Sequence, residues 1–209
     1  MTTRSWTTLE LLKTTTDFLK TKDLPNPRLA AERLLACAMG CRRVDLYLAT
    51  EKPVLDGVLE KYRALVRAYA AGAPLQYVEG ETEFMGLAFA VDPRVLIPRP
   101  ETELLVDAVE KRLRPPAGPA AVLELGTGSG AIAVSLAVRL PQVEVWTTDA
   151  SPGAAAVATA NARRHGVLER VHILVMDRFE ALHEDLVGTM ACVVSNWSMT
   201  KTSSLARFK

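Results

Sequence analysis

Apolar positions in the first third of the chain recur at helical spacing. Thr7-Thr8-Leu9-Glu10 offers a capping box, with Thr7 as N-cap and Glu10 three residues on, and Leu9, Leu12 and Leu19 then mark one face of a helix ending near Thr21. Asn26-Pro27 is a second start signal, and the pattern from Leu29 to Met39 closes on Gly40. Val44 to Leu48 reads as a short helical turn. Asp56 is expected to cap a further helix through Leu59, Tyr62, Leu65, Val66 and Tyr69, which stops before Gly72-Ala73-Pro74. Residues 1-75 are therefore expected to form a small helical bundle.

The period then changes. Thr82 to Val91 reads as two short strands about Gly86, so residues 76-98 are expected to be a hairpin linker. In Val95-Leu96-Ile97-Pro98-Arg99-Pro100-Glu101-Thr102-Glu103 two prolines bracket Arg99 and fix how Arg99 and Glu101 point, before a helix through Leu104, Leu105, Val106 and Val109. A rigid connection between domains and a site role both fit this segment. Pro115 to Pro119 is a loop. Beyond it lie four apolar runs, 122-125, 143-149, 171-177 and 190-196, with Ala-rich helical stretches after the first two. Strand and helix in alternation over residues 99-209 predict a parallel α/β sheet.

The densest signal is Val122-Leu123-Glu124-Leu125-Gly126-Thr127-Gly128-Ser129-Gly130, a strand running into three glycines at alternate positions and then a helix. Glycine suits a sharp strand-to-helix turn and lets a ligand approach bare backbone beside a helix N-terminus. A plain glycine-rich turn without a ligand is the bland alternative. Glu124 before the glycines, and Asp149 closing the next strand roughly 20 residues on where ribose hydroxyls would be held, favour a cofactor that carries a nucleoside. Asp177 ends the third strand and Asn196 the fourth, at the carboxyl ends where such sheets bind ligands.

Composition narrows the function classes. Apolar residues make up 49% of 209, enough for a sizeable core, and the net charge of +1 argues against a nucleic-acid protein relying on a strong basic field. The first 75 residues carry twelve Lys/Arg against eight Asp/Glu, leaving thirteen against sixteen beyond, a mild asymmetry. No apolar run approaches the ~20 residues of a membrane helix and no signal peptide stands first, so a cytoplasmic location is expected. Cys37, Cys41 and Cys192, with His165, His172 and His183, form no metal-ligand pattern; they are expected to be packing or surface residues, with Cys37 and Cys41 on one helical face.

With the motifs placed, the chain resembles the release-factor glutamine methyltransferases, the HemK-type protein N5-glutamine methyltransferases of class I S-adenosylmethionine (SAM) enzymes. The resemblance rests on the helical bundle, Pro74 to Gly80, Ile97-Pro98-Arg99-Pro100-Glu101-Thr102, the Gly126 to Gly130 loop, Asp149, Asp177 and the strand to Asn196. It implies an N-terminal helical substrate-recognition domain and a Rossmann-like SAM domain. It also implies a SAM donor and, as substrate, the glutamine of the Gly-Gly-Gln loop of peptide-chain release factors. Gly126, Thr127, Gly128, Ser129 and Gly130 would lie under the methionine part, Asp149 would take the ribose hydroxyls, and Asp177 with Arg178 would lie near the adenine. Asn196 would accept from the substrate amide, with Arg99 and Glu101 as substrate or supporting residues. The family follows this Asn with Pro-Pro-Tyr, whereas here Trp197-Ser198-Met199 follow. The expectation is therefore an incomplete sheet, truncated after Asn196, with impaired transfer. Its fourth strand would expose an edge open to self-association. A non-catalytic SAM- or release-factor-binding remnant and, more weakly, a NAD-dependent oxidoreductase are the alternatives.

Overall fold

The computed structural model describes residues 5-48, 50-113, 120-176 and 190-195, which fall into two compact units, Met1–Gly80 and Glu81–Lys209. In the first unit Thr7 and Glu10 form the expected reciprocal cap, Glu10 accepting the Thr7 N–H at 2.9 Å and Thr7 Oγ1 the Glu10 N–H at 3.3 Å. Helix α1 (Thr8–Lys20) buries Thr8, Leu11, Leu12, Thr15 and Leu19, while Leu9 is 51% exposed. Two threonines thus occupy core positions of the stripe, and an apolar count placed Leu9 on the wrong face. Helix α2 (Pro27–Met39) starts with Pro27 in its first turn and ends on Gly40 at φ +64°. Cys41 lies beyond that glycine, so it does not share the helix with Cys37; both thiols are half-buried.

Arg43–Leu48 is a 3₁₀ turn. Helix α3 (Asp56–Ala70) is preceded by Leu55 at the cap position, so Asp56 lies inside the first turn and meets the positive end of the helix dipole instead of capping it. Helix α4 (Leu75–Glu79) closes the unit, and the Arg33 guanidinium clasps both oxygens of Glu79. This helix carries the first unit to Gly80, past the boundary expected at residue 75. Leu19, Leu34, Leu35, Leu46 and Tyr62 are its fully buried centre.

The second unit opens with an antiparallel hairpin, β1 (Glu81–Phe84) and β2 (Leu87–Ala90), turning through Met85 at φ +52° and Gly86 at φ +74°. Both left-handed residues give the turn the twist that two-residue hairpins prefer. The hairpin is more than a linker: Phe84 and Phe89 meet edge to face and belong to the same core as Val106, Val122, Ile132 and Val145. A 3₁₀ turn, Pro100–Thr102, leads into α5 (Glu103–Leu113), and Glu103 Oε1 accepts the Met85 N–H at 2.6 Å, tying that helix to the hairpin tip.

Four parallel strands follow, β3 (Ala120–Leu125), β4 (Val143–Asp149), β5 (Val171–Val175) and β6 (Met190–Ser195), in the order β5-β4-β3-β6. Between them run α6 (Ala131–Arg139) and α7 (Pro152–Arg164), the latter capped by Ser151, whose Oγ accepts the Ala154 N–H and so starts the helix two residues earlier than its alanines suggest. Every residue of α6 from Ala131 to Ala137 is buried. The chain leaves β3 toward β4 on one side and later returns to pair β6 on the other. The loop after β3 therefore sits where the winding reverses, the place at which open α/β sheets hold ligands.

Candidate functional site: the glycine loop and the ends of β3 and β4

The loop after β3 is held from below by β4. Thr148 O accepts the N–H groups of Gly126 (2.9 Å) and Thr127 (3.0 Å), and Thr127 O accepts that of Gly130 (2.8 Å). Gly126, Gly128 and Gly130 have φ of +81°, +52° and +78°, values that carry a steric cost for any residue with a Cβ. Surroundings separate the last two. A Cβ on Gly130 would stand 3.1 Å from Ala158 Cβ and 3.2 Å from Ala158 Cα, so this glycine lets α6 and α7 meet. A Cβ on Gly128 would meet nothing within 4 Å. Its backbone borders open space.

Asp149 faces the same space from the end of β4. Its Oδ2 accepts the Gly128 N–H and its Oδ1 the Ser151 N–H, each at 2.9 Å. A carboxylate offers about four lone-pair sites, so these two bonds fix its rotamer and leave capacity for further donors. Asp149 remains half-buried and reachable.

Beneath the loop lies a buried polar chain. Glu124 is 1% exposed; the Thr147 hydroxyl donates to its Oε2 at 2.9 Å, and Thr127 Oγ1 is 2.6 Å from Thr147 Oγ1. Burial pushes the Glu124 carboxyl up to about 8, against the pull of the Thr147 hydroxyl and the Ala133 backbone N–H, with neighbouring Asp149 adding to the rise. Glu124 thus supports the loop from inside the sheet as a mainly neutral acid.

Of the sequence-nominated residues, the structure brings Gly126 to Gly130 and Asp149 together. Arg99 and Glu101 lie exposed around the 3₁₀ turn, and neither side chain makes a hydrogen bond or ion pair among the described residues. Asp177, Arg178 and Asn196 lie outside the described residues. The strands leading to them end beside the site, Val175 in register with Asp149 and Ser195 with Leu125. Among the described residues no three His, Cys, Asp or Glu side chains converge as a metal site, and no helix is long and apolar enough to cross a membrane.

Sequence reasoning missed Asn161 and Thr147. Asn161 on α7 is fully buried and bonds Ser129 O at 2.8 Å through Nδ2. The available signal was an amide at the i+3 position from Ala158 on the apolar face of an Ala-rich helix, a place where a polar group needs partners. Thr147 was one of two threonines just before the strand-ending acid, hidden because β-branched residues suit any strand.

Comparison with known proteins agrees with these elements. A family model described as "PrmC N-terminal domain" matches residues 10–80, and one described as "Methyltransferase domain" matches residues 122–207. The release factor glutamine methyltransferase of Chlorobaculum tepidum is 45% identical over 187 residues, covering 88% of this chain and 64% of the relative. That of Rhodopirellula baltica is 41% identical over 191 residues, covering 90% and 64%. That of Geobacter sulfurreducens is 42% identical over 200 residues, covering 96% and 68%. The chain thus spans about two thirds of the length of these curated relatives. With both halves matched and identity above 40% across almost its whole length, the chain belongs to the release factor glutamine methyltransferase family.

Proposed function

We propose that the chain binds SAM at the ends of β3 and β4 and works in the N5-methylation of the glutamine amide in the Gly-Gly-Gln loop of peptide-chain release factors, in the cytoplasm. The observation that carries the cofactor assignment is the pairing of open space at Gly128 with a prefixed acceptor at Asp149. The residues fit the group: the Gly126 to Gly130 backbone offers a surface without side chains, and Asp149 keeps lone pairs for the two ribose hydroxyls. Asp177 and Arg178 are assigned to the adenine side. When bound, SAM supplies a methyl group on a positively charged sulfur. The chain's own contribution is to place the amide nitrogen, which is a poor nucleophile, in line with that methyl, and positioning of this kind lowers a barrier by removing the entropy of encounter. Asn196 is assigned to accept one amide N–H, with Arg99 and Glu101 supporting the substrate segment and the helical unit holding the release factor.

Trp197 and Ser198, in place of the family's Pro-Pro-Tyr, favour a second outcome for this chain, binding of SAM and release factor with little transfer. Titration calorimetry with SAM and with NAD, followed by methyl incorporation from labelled SAM into a release factor and its Gln→Ala variant, tests both steps. SAM is expected to bind and NAD not, and any incorporation should disappear with the Gln→Ala substrate. NAD binding without SAM binding would refute the cofactor assignment. Equal labelling of both substrates would refute the assigned methyl acceptor.

A further inference from the structure

Helix α7 holds the hairpin and the glycine loop with one side chain. Asn161 Oδ1 accepts the Ala90 N–H at 2.8 Å, while its Nδ2 donates to Ala90 O at 3.0 Å and to Ser129 O at 2.8 Å. The two-residue turn places Ala88 and Ala90 opposite Glu83 and Glu81 at the non-hydrogen-bonded positions of the ladder, so their N–H and C=O groups point away from β1. The Asn161 amide pairs with Ala90 as a neighbouring strand would. One turn further on, His165 Nε2 lies 2.8 Å from Ala88 O, and its ring packs on Phe89. Among the described residues the His165 side chain bonds the hairpin, whereas that of Asn161 bonds the hairpin and the loop.

The peptide unit between Ser129 and Gly130 is therefore fixed at both ends, its oxygen by Asn161 and its N–H by Thr127 O. Asn161 is fully buried, both protons of its amide are used and Ser129 is 3% exposed, so the Ser129 carbonyl has no water as a substitute. Ala90 in turn leads directly into the segment that carries Arg99 and Glu101.

We infer that Asn161 is a positioning residue that couples the cofactor loop to the hairpin: a ligand seated on Gly126 to Gly130 stiffens β2, and loss of the Asn161 amide uncouples the two. The inference rests on SAM binding to that loop. Coupling through a shared bond is reciprocal, so whatever the ligand gains from an ordered hairpin the hairpin gains from the ligand.

Hydrogen exchange of the full chain with and without SAM, together with calorimetry, tests this on the parent, Asn161→Asp, Asn161→Ala and His165→Ala. In the parent, SAM should slow exchange of the Leu87 to Ala90 amides. Asn161→Ala should bind SAM about tenfold more weakly, the change one ordinary hydrogen bond carries, and should lose the SAM-dependent slowing at β2 even when saturated. Asn161→Asp keeps the shape but sets an oxygen against Ser129 O and Ala90 O, and should do the same. His165→Ala, which keeps the Asn161 link, should speed β2 exchange with and without SAM, keep the SAM-dependent slowing at β2, and weaken SAM binding by less than Asn161→Ala does. If a saturated Asn161 variant still transmits slowing to β2, or binds SAM like the parent, the inference fails while the cofactor assignment stands. If the parent binds no SAM, the cofactor assignment fails and the coupling with it.

Discussion

Replacing Gly128 and Gly130 separately by alanine should divide two roles that the motif places side by side. Both residues have left-handed backbones, and a Cβ there costs about 1–2 kcal/mol, partly offset by the ~0.4–1 kcal/mol that alanine gains by restricting the unfolded chain. At Gly128 nothing else is added, because no atom lies within 4 Å of the new Cβ. Gly130→Ala adds contacts of 3.1 and 3.2 Å to Ala158, one of them to backbone that cannot rotate away, so α6 and α7 must separate; overpacking of this sort costs a further ~1–3 kcal/mol. The net loss is about 1 kcal/mol for Gly128→Ala and about 2–4 kcal/mol for Gly130→Ala. Native-state hydrogen exchange of the Val122 to Leu125 and Val143 to Asp149 amides reads the sheet's own stability without requiring the whole chain to unfold in one step. SAM affinity should order the other way relative to stability: Gly128→Ala, nearly as stable as the parent, should lose on the order of tenfold or more because its methyl occupies the ligand's space. Equal destabilisation by the two substitutions would refute the packing assignment of Gly130, and parent-like SAM binding by Gly128→Ala would refute the ligand assignment of the open space.

Asp149→Ala should remove about 1.5–3 kcal/mol of SAM affinity by calorimetry, and should also loosen the loop because Gly128 and Ser151 lose their acceptor. Glu124 makes stability fall with pH: its carboxyl is raised from 4.5 to about 8, so the folded chain holds a proton that the unfolded chain has already released. Glu124's contribution is therefore full below about pH 4.5 and declines until about pH 8, and Glu124→Gln should flatten urea midpoints across that window; an unchanged slope would refute the buried-acid assignment. Methyl incorporation into a release factor should fall well below the ~1 s⁻¹ typical of enzymes, and a rate at or above it would show that Trp197 and Ser198 suffice. β6 pairs with β3, and among the described residues no strand pairs its other edge, where Val193 is 51% exposed; size-exclusion chromatography should show self-association, whereas a monomer with Ala191 to Ser195 amides protected like those of Val122 to Leu125 would show the edge covered.

Much of this fold was legible because local chemistry and tertiary structure agree. The Thr7/Glu10 cap, Pro27 at a helix start, Gly40 at a helix end and the strand ending in Asp149 are each settled within a few residues of chain. Leu9 and Asp56 were misplaced because one position of helical phase, decided by packing against α2 or by which residue first turns helical, cannot be read from apolarity alone. The hairpin was found, but its burial was not: Phe84 and Phe89 sit on a short two-stranded ribbon, and only the folded chain shows that they join the core of Val106, Val122, Ile132 and Val145. The loop and Asp149 were legible because their spacing is fixed by one strand, one turn and one helix. Asn161 was not, because its partners Ala90 and Ser129 are backbone groups that leave no mark on the sequence.

The strand order has a consequence during synthesis. Ala120–Leu125 emerges with β4 soon behind it, but its other neighbour, Met190–Ser195, follows several seconds later at about 5–20 residues per second. Throughout that interval one side of the central strand, with Val122 and Leu123, waits without its partner while the helical unit, made entirely of earlier residues, is free to fold. The nascent chain therefore passes through a stage in which its first domain is finished and its second is an adhesive half-sheet, the stage at which a chaperone or a second nascent chain would find most to bind.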